Sequence, residues 1–185
     1  YKIVYNKYAF FTNANFNMII YYFNRFHHKI MMNIFFGGEG MYNAHEIASY
    51  VINWCHRHKI PITNLKLQKL LYFIQGENCR IRHTRLISDD FYAWQLGPVI
   101  PKVYYEFAIY SSSVLPKQQC SISFSSDELF IINQILLKYA SKSTWDLVDI
   151  SHSQDPWKYN YQVFGDRSLI PYKSIENYYE SGERL

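Results

Sequence analysis

The chain has 185 residues, of which 49% are hydrophobic and 19% aromatic, with only seven glycines and six prolines. This composition excludes a disordered or fibrous chain, and the length predicts one domain with a buried core. The formal net charge of +4 is concentrated in residues 1–40, which hold four Lys and Arg against one Glu, whereas the remainder holds 15 against 14. A nearly neutral body attracts phosphates weakly, so we expect no nucleic-acid partner.

Residues 1–40 differ in character from the rest of the chain. They are crowded with Tyr, Phe and Asn and show neither a period of two nor a clean 3.6-residue stripe. We expect them to be an N-terminal extension of translated upstream sequence, with Met41 as the natural start, because "GGEG" at 37–40 requires purine-rich codons like those of a ribosome-binding site. The alternative is an aromatic arm that docks on the body or on a partner.

Two amphipathic helices are predicted directly after Met41. Asn43 and Glu46 have the spacing of a capping box, and the helix that they open is expected to end before Pro61. Thr63 then caps a second helix, "ITNLKLQKLLYFIQG" at 62–76, and the short turn between the two predicts a helical hairpin. The second helix carries a core-facing stripe of four aliphatic residues, which are Leu67, Leu70, Leu71 and Ile74.

The opposite face of the second helix carries Lys66, Gln68 and Lys69. Because long polar side chains are rarely buried without partners, we expect these three residues to remain in water or to meet a partner protein.

The second half of the chain predicts further helices and little strand. Residues 91–96 favour a short strand, Gly97 permits a turn, and Pro101 suits the first turn of a helix. After a polar loop, Ser125 and Glu128 form a capping box that opens another helix, and shorter helices are expected over 144–150 and before Gly182. The predicted fold class is therefore mainly α, a compact helical domain over residues 41–185 with a few short strands.

Cysteine usage and hydropathy point to the cytoplasm. The three cysteines, Cys55, Cys79 and Cys120, contain no CxxC pair, which is typical of a reducing compartment. No uninterrupted apolar run approaches the roughly 20 residues that span a bilayer, so we expect no membrane partner.

Enzymatic sites are the main alternative to a binding function. Cys55, His56 and His58, together with Cys79 and His83, could supply zinc ligands if the first two helices brought them together, although none of the diagnostic spacings is present.

A hydrolytic site would use Asp149, His152 and Asp155, but no G-x-S-x-G elbow or reactive-cysteine context supplies a nucleophile. We expect no catalysis, no cofactor and no metal, and a structural hydrogen bond for His152.

The local basic cluster at 80–85 is the remaining candidate for nucleic-acid contact. It contains Arg80, Arg82, His83 and Arg85. Cations at the end of a helix also complement its dipole, and we therefore interpret the cluster as a solvated helix terminus.

Four segments resemble, in order and spacing, the Panacea domain of the SocA-like antitoxin family. They are "ITNLKLQKLLYFIQG", "FYAWQLGPVIPKVYYEF", "SHSQDPW" and "IENYY", and the resemblance extends from Met41 to Tyr179. Ser151 stands where the family commonly has threonine, which keeps the hydroxyl. The family-motif residues, expected to be structural or partner-binding, are Leu67, Lys69, Leu70, Tyr72, Trp94, Gly97, Pro98, Val99, His152, Pro156 and Trp157.

This resemblance implies a helical bacterial or prophage protein that neutralises a cognate toxin by direct contact. One relative of this kind is an adaptor that delivers its toxin to a cytoplasmic ATP-dependent protease, and that role is the alternative function, ahead of a metal-dependent hydrolase. Within the motif, we expect the turn from Trp94 through residues 97–99 to hold adjacent helices. His152 and Trp157 are expected to fix the opposite connection.

Overall fold

The computed structural model describes residues 41–182, so the predictions for residues 1–40 lie outside the described part. The described chain is mainly α, as predicted. Its helices are α1 (Ala44–Arg57), α2 (Asn64–Arg82), α3 (Pro101–Glu106), α4 (Ser126–Tyr139), α5 (Thr144–His152), α6 (Asp155–Phe164) and α7 (Tyr172–Ser181). Its strands are β1 (Phe91–Trp94), β2 (Gly97–Val99) and β3 (Ser168–Ile170).

Side-chain caps start the helices where the sequence places them. Asn43 and Glu46 form both hydrogen bonds of the capping box at α1, and Ser125 and Glu128 do the same at α4. The Thr63 hydroxyl accepts a hydrogen bond from a backbone N–H at the start of α2. Such side chains satisfy N–H groups that have no partner within the helix. These predictions are confirmed.

The central helix of the described domain is α2, which packs against α1, α4, α5, α7 and strand β2. Its predicted stripe is confirmed, since Leu67, Leu70, Leu71 and Ile74 are fully buried. Each such side chain contributes about 1.5 to 3 kcal/mol when it is removed from water. None of the described helices is long and apolar enough to cross a bilayer.

The prediction for the opposite face of α2 is wrong. Lys66 is only 6% exposed, and Gln68 and Lys69 are completely buried. The reason is that α2 has neighbours on every side, so no face of it is left to solvent. Burial of these polar groups requires partners inside the protein. For Lys69 and Gln68 the partners are in strand β2 and in the residue that follows it.

The small sheet has the strand order β2-β1-β3, and both pairings are antiparallel. Trp94 pairs with Gly97 across a two-residue turn, and Tyr92 lies between Val99 and Leu169 of the flanking strands. The prediction of a strand at 91–96 is confirmed for its first four residues. Helix α6 and strands β2 and β3 were not predicted, since residues 97–99 were expected to form a turn.

Candidate functional site

Two side chains of α2 satisfy the outer edge of β2. The Gln68 side-chain carbonyl accepts a hydrogen bond of 2.9 Å from the backbone N–H of Ile100. The Lys69 amine donates a hydrogen bond of 2.9 Å to the carbonyl of Pro98. The exposed edge of a sheet is a template for pairing with other chains. Here the polar face of α2 closes that edge from inside the protein.

The Lys69 amine lies in an unusual environment for a lysine. The side chain has no exposed surface, and among the described residues no carboxylate forms an ion pair with it. Burial lowers the pKa of the Lys69 amine well below its usual value, since a charged ammonium loses its hydration inside a protein. The site therefore destabilises the ammonium form relative to water.

Gly97 allows the turn to approach Lys69. Its φ of 103° is a conformation that other residues rarely adopt. A Cβ atom at this position would lie 2.6 Å from the Lys69 nitrogen and 2.7 Å from the Ser151 hydroxyl oxygen. No residue with a side chain fits there, so the turn, α2 and the end of α5 meet at this glycine.

A tryptophan of α6 fixes the other side of the same turn. The indole N–H of Trp157 donates a hydrogen bond of 2.9 Å to the carbonyl of Trp94. The Trp157 ring stacks on His152 with the ring centroids 3.8 Å apart. The expectation that His152 and Trp157 fix the opposite connection is therefore wrong. Because α6 packs on β1, both motifs meet at one place.

We call this contact the hairpin latch, defined by Lys69, Gly97, Pro98, Ser151 and Trp157. It fastens the β1–β2 turn to α2 on one side and to α5 and α6 on the other. The polar groups of the latch form hydrogen bonds within the protein. The Ser151 hydroxyl, for example, donates a hydrogen bond of 2.8 Å to the carbonyl of Val148.

His152 does not have the geometry of a catalytic base. Its Nε2 atom is buried without a hydrogen-bond partner among the described residues. Burial lowers the pKa of His152, the nearby Lys69 lowers it further, and Asp149 opposes both. Asp149 and Asp155 are exposed, and no hydrogen bond in the described part joins either carboxylate to the imidazole. The predicted structural hydrogen bond of His152 is likewise absent from this part, and stacking on Trp157 holds the ring instead.

The remaining motif residues are buried. Leu67, Leu70 and Tyr72 have no exposed surface, and Val99 is 3% exposed. The Tyr72 ring packs edge-on against Phe91, and its hydroxyl has no hydrogen-bond partner in the described part of the chain.

Pro156 lies in the first turn of α6, and its carbonyl accepts a 2.7 Å hydrogen bond from Asn160. Trp94 and His152 are the partly exposed members of the motif. The indole N–H of Trp94 is buried without a described partner.

The candidate metal ligands are engaged separately. Cys55 is buried in the core, where burial raises the pKa of its thiol to about 11. The imidazole of His56 donates to the Leu115 carbonyl at 2.8 Å, and that of His58 donates to the Trp54 carbonyl at 2.8 Å. Within residues 41–182, no group of three or more His, Cys, Asp and Glu residues is arranged to hold a metal ion.

The basic cluster at the end of α2 is engaged with carboxylates of the same chain. Arg80 contacts Glu77 at 2.5 Å and Arg82 contacts Glu128 at 3.4 Å. The interpretation as a solvated terminus is wrong for Arg82, whose side chain is only 4% exposed. It is buried because α4 packs over this end of α2.

The other two residues of this cluster also have acidic partners. His83 contacts Glu180 at 2.7 Å, and Arg85 contacts Asp90 at 2.7 Å. Arg85 additionally donates to the carbonyls of Ile87, Ser88 and Asp89. The cluster therefore organises the loop before β1.

Sequence reasoning missed Gln68 and Ser151 as parts of the site. A signal for Gln68 was present, because apolar residues surround α2 on all sides from Leu65 to Ile74. A helix that is apolar all round is a buried helix, and its polar residues must then find internal partners. For Ser151, the resemblance marks a motif position with a hydroxyl, but its contact with Gly97 depends on the tertiary fold.

Comparison with known proteins agrees with the motif. The family model described as "Antitoxin SocA-like, Panacea domain" matches residues 67–158, which include every residue of the hairpin latch. The chain is 30% identical over 128 residues to the antitoxin SocA of Caulobacter vibrioides (strain NA1000 / CB15N), an alignment that covers 62% of this chain and 68% of that protein. No solved structure matches the chain. The chain therefore belongs to the SocA-like antitoxin family and carries a Panacea domain.

Proposed function

We propose that this protein is an antitoxin that binds a cognate toxin protein and inactivates it by covering its surface, without catalysis. The observation that carries the proposal is the burial of the family motif: Lys69 and Ser151 are completely inaccessible, and Trp157 is 7% exposed. Side chains that a substrate cannot reach are suited to stabilising the fold. The motif residues then contribute to toxin binding by holding the surface residues in position.

The proposal is supported by the separate engagement of the other reactive groups. His56, His83 and Arg82 each bind an acceptor within the domain, and the Cys55 thiol is buried with a raised pKa. A nucleophile needs an adjacent base and a position open to substrate. In the described residues, the side chains of Cys55 and Ser151 have no exposed surface, and the Ser151 hydroxyl donates to the Val148 carbonyl.

The described surface carries large apolar side chains that a partner protein would cover. Tyr105 and Leu169, for example, are 59% and 46% exposed, respectively. Aromatic side chains are enriched in protein interfaces, where they contribute much of the binding energy. We place this binding in the cytoplasm, as the three unpaired cysteines suggest.

Co-expression with the product of the adjacent gene tests the proposal. We expect that the adjacent product alone arrests growth, that this chain restores growth, and that the two proteins elute together in size-exclusion chromatography. If the chain neither restores growth nor forms the complex, the proposal is wrong.

The level of the adjacent product in the rescued cells separates covering from delivery to a protease. Under the proposal, the immunoblot signal of the toxin stays constant or rises, because the bound toxin is protected. A fall in that signal that disappears in a strain without the ATP-dependent protease would instead identify the chain as an adaptor.

A further inference from the structure

The outward face of the sheet carries a group of aromatic, aliphatic and cationic side chains next to the hairpin latch. We call it the aromatic patch, defined by Tyr92, Trp94, Tyr105, Arg167 and Leu169. The Tyr105 ring contacts the Trp94 ring at 5.9 Å, and the Arg167 guanidinium lies 4.8 Å from the Trp94 ring centroid. Tyr92 and Leu169 are directly opposite each other on β1 and β3.

Several members of the patch are accessible to a partner. Tyr105 is 59% exposed, Leu169 is 46% exposed, and the side chain of Arg167 is 64% exposed. Tryptophan, tyrosine and arginine are the residue types that most often dominate binding energy in interfaces. The patch therefore combines accessible area with suitable chemistry.

The backbone beneath the patch is held in a fixed conformation. Arg167 has a φ of 64°, which is unfavourable for a residue with a side chain, and its N–H donates to the carbonyl of Ala93 at 2.7 Å. The next carbonyl along β1, that of Trp94, accepts from Trp157. A surface that is already ordered loses little entropy when a partner binds.

Other exposed aromatic residues lack this combination. Within residues 41–182, Phe130 and Trp145 make no ring contact with another aromatic or cationic side chain. Tyr159 and Phe164 contact each other at 5.9 Å, but no described cation stacks on either ring.

Arg57 over Tyr50 and Lys138 over Tyr139 also place an exposed cation on a ring. The aromatic patch adds to such a pair an exposed aromatic ring in contact with it, that of Tyr105.

We propose that the aromatic patch is the surface that binds the toxin, and that it receives an apolar surface of the toxin bordered by a carboxylate. This inference rests on the proposed antitoxin function. Charge complementarity identifies the carboxylate: Arg167 is the cation of the patch, and its neighbour Asp166, at 3.7 Å, is itself half exposed and pairs with it weakly. A carboxylate of the partner, in an interface from which water is excluded, would bind the guanidinium more strongly than Asp166 does.

Charge reversal at the patch tests this inference. Arg167→Glu is compared with Lys142→Glu, which reverses an exposed cation beyond the end of α4. We expect Arg167→Glu to weaken binding of the purified co-expressed toxin at least about tenfold, and Lys142→Glu to change it less than about twofold. Circular dichroism and thermal unfolding of both variants establish that they fold like the wild type.

A second pair of variants tests the apolar part of the patch in case Arg167→Glu disturbs its own turn. Leu169→Glu is compared with Phe130→Glu, which places the same charge at an apolar position of similar or greater exposure on α4. We expect Leu169→Glu to weaken toxin binding and growth rescue, and Phe130→Glu to leave both unchanged. Binding of wild type is also expected to weaken with salt, and this dependence is expected to be smaller in Arg167→Gln.

The outcomes distinguish this inference from the proposed function. If the wild type binds the toxin and the folded Arg167→Glu and Leu169→Glu variants bind it equally well, the aromatic patch is not the toxin-binding surface. The proposed antitoxin function is then unaffected. If the wild type itself does not bind the adjacent product, both are wrong.

Discussion

The aliphatic core and the hairpin latch lie on different faces of the same helix, α2, and they are encoded in different ways. In the core, Leu67, Leu70 and Leu71 pack against neighbouring helices through contacts that have no required direction. In the latch, Lys69 binds one particular carbonyl and Gly97 fits a space that excludes a Cβ. The core therefore tolerates aliphatic replacements of similar volume, whereas the latch depends on individual atoms.

The largest expected effect that tests this difference is that of Gly97→Ala. The new methyl group would overlap Lys69 and Ser151, and the residue would keep a positive φ. We expect the free energy of unfolding to fall by about 3 kcal/mol or more, from overpacking together with backbone strain. Urea denaturation measures this loss.

Gly165→Ala is the matched control for Gly97→Ala. Gly165 also has a positive φ, 88°, but no atom lies within 4 Å of the position of its Cβ. Gly165→Ala therefore adds only backbone strain, and we expect the free energy of unfolding to fall by about 1 kcal/mol. Equal losses in the two variants would show that the latch is not tightly packed.

The sequence predicts the core and not the latch for a physical reason. Periodicity identifies the buried stripe of α2 that contains Leu67 and Leu70, and caps at Asn43, Thr63 and Ser125 identify where helices start, because both are local properties. The pairing of Lys69 with Pro98 joins residues 29 positions apart. Its partners become evident only when β2 is placed against α2.

The position of the two motifs relative to each other was also beyond sequence reasoning. The predicted helix over 144–150 is confirmed, and His152 is its last residue. However, helix α6 was not predicted, and α6 is the element that carries Trp157 back onto the Trp94 carbonyl. Without it, the two motifs appear to belong to different connections.

The next effect in size concerns the charge of Lys69. Since the pKa of Lys69 is lowered in the folded state, the unfolded chain binds the proton more strongly. Stability from this residue therefore rises with pH between the folded pKa and the unfolded value near about 10.4. Lys69→Met removes this dependence while keeping a side chain of similar length.

Subtracting the two stability curves isolates Lys69 from the other titrating groups. As the pH approaches the unfolded value near about 10.4 from below, we expect the free energy of unfolding of wild type to rise relative to Lys69→Met, by at most about 1.4 kcal/mol per pH unit. Urea denaturation at several pH values measures this difference. A difference curve without slope, or with the opposite slope, would show that the ammonium is stabilised in the latch.

The smallest expected effect compares two stacked tryptophans, one in each region. Trp157 stacks on His152 and donates to the Trp94 carbonyl, whereas Trp54 in the core is similarly buried and stacks on His58 at 3.7 Å without a described hydrogen bond from its indole. Replacement of either by Phe removes similar ring volume. Trp157→Phe additionally leaves the Trp94 carbonyl without this donor, and we expect it to destabilise the protein by about 1 kcal/mol more than Trp54→Phe does. Thermal and urea unfolding of the two variants measure that excess. An equal loss would mean that the latch, like the core, is held by packing alone, and that the direction of its hydrogen bonds adds no stability.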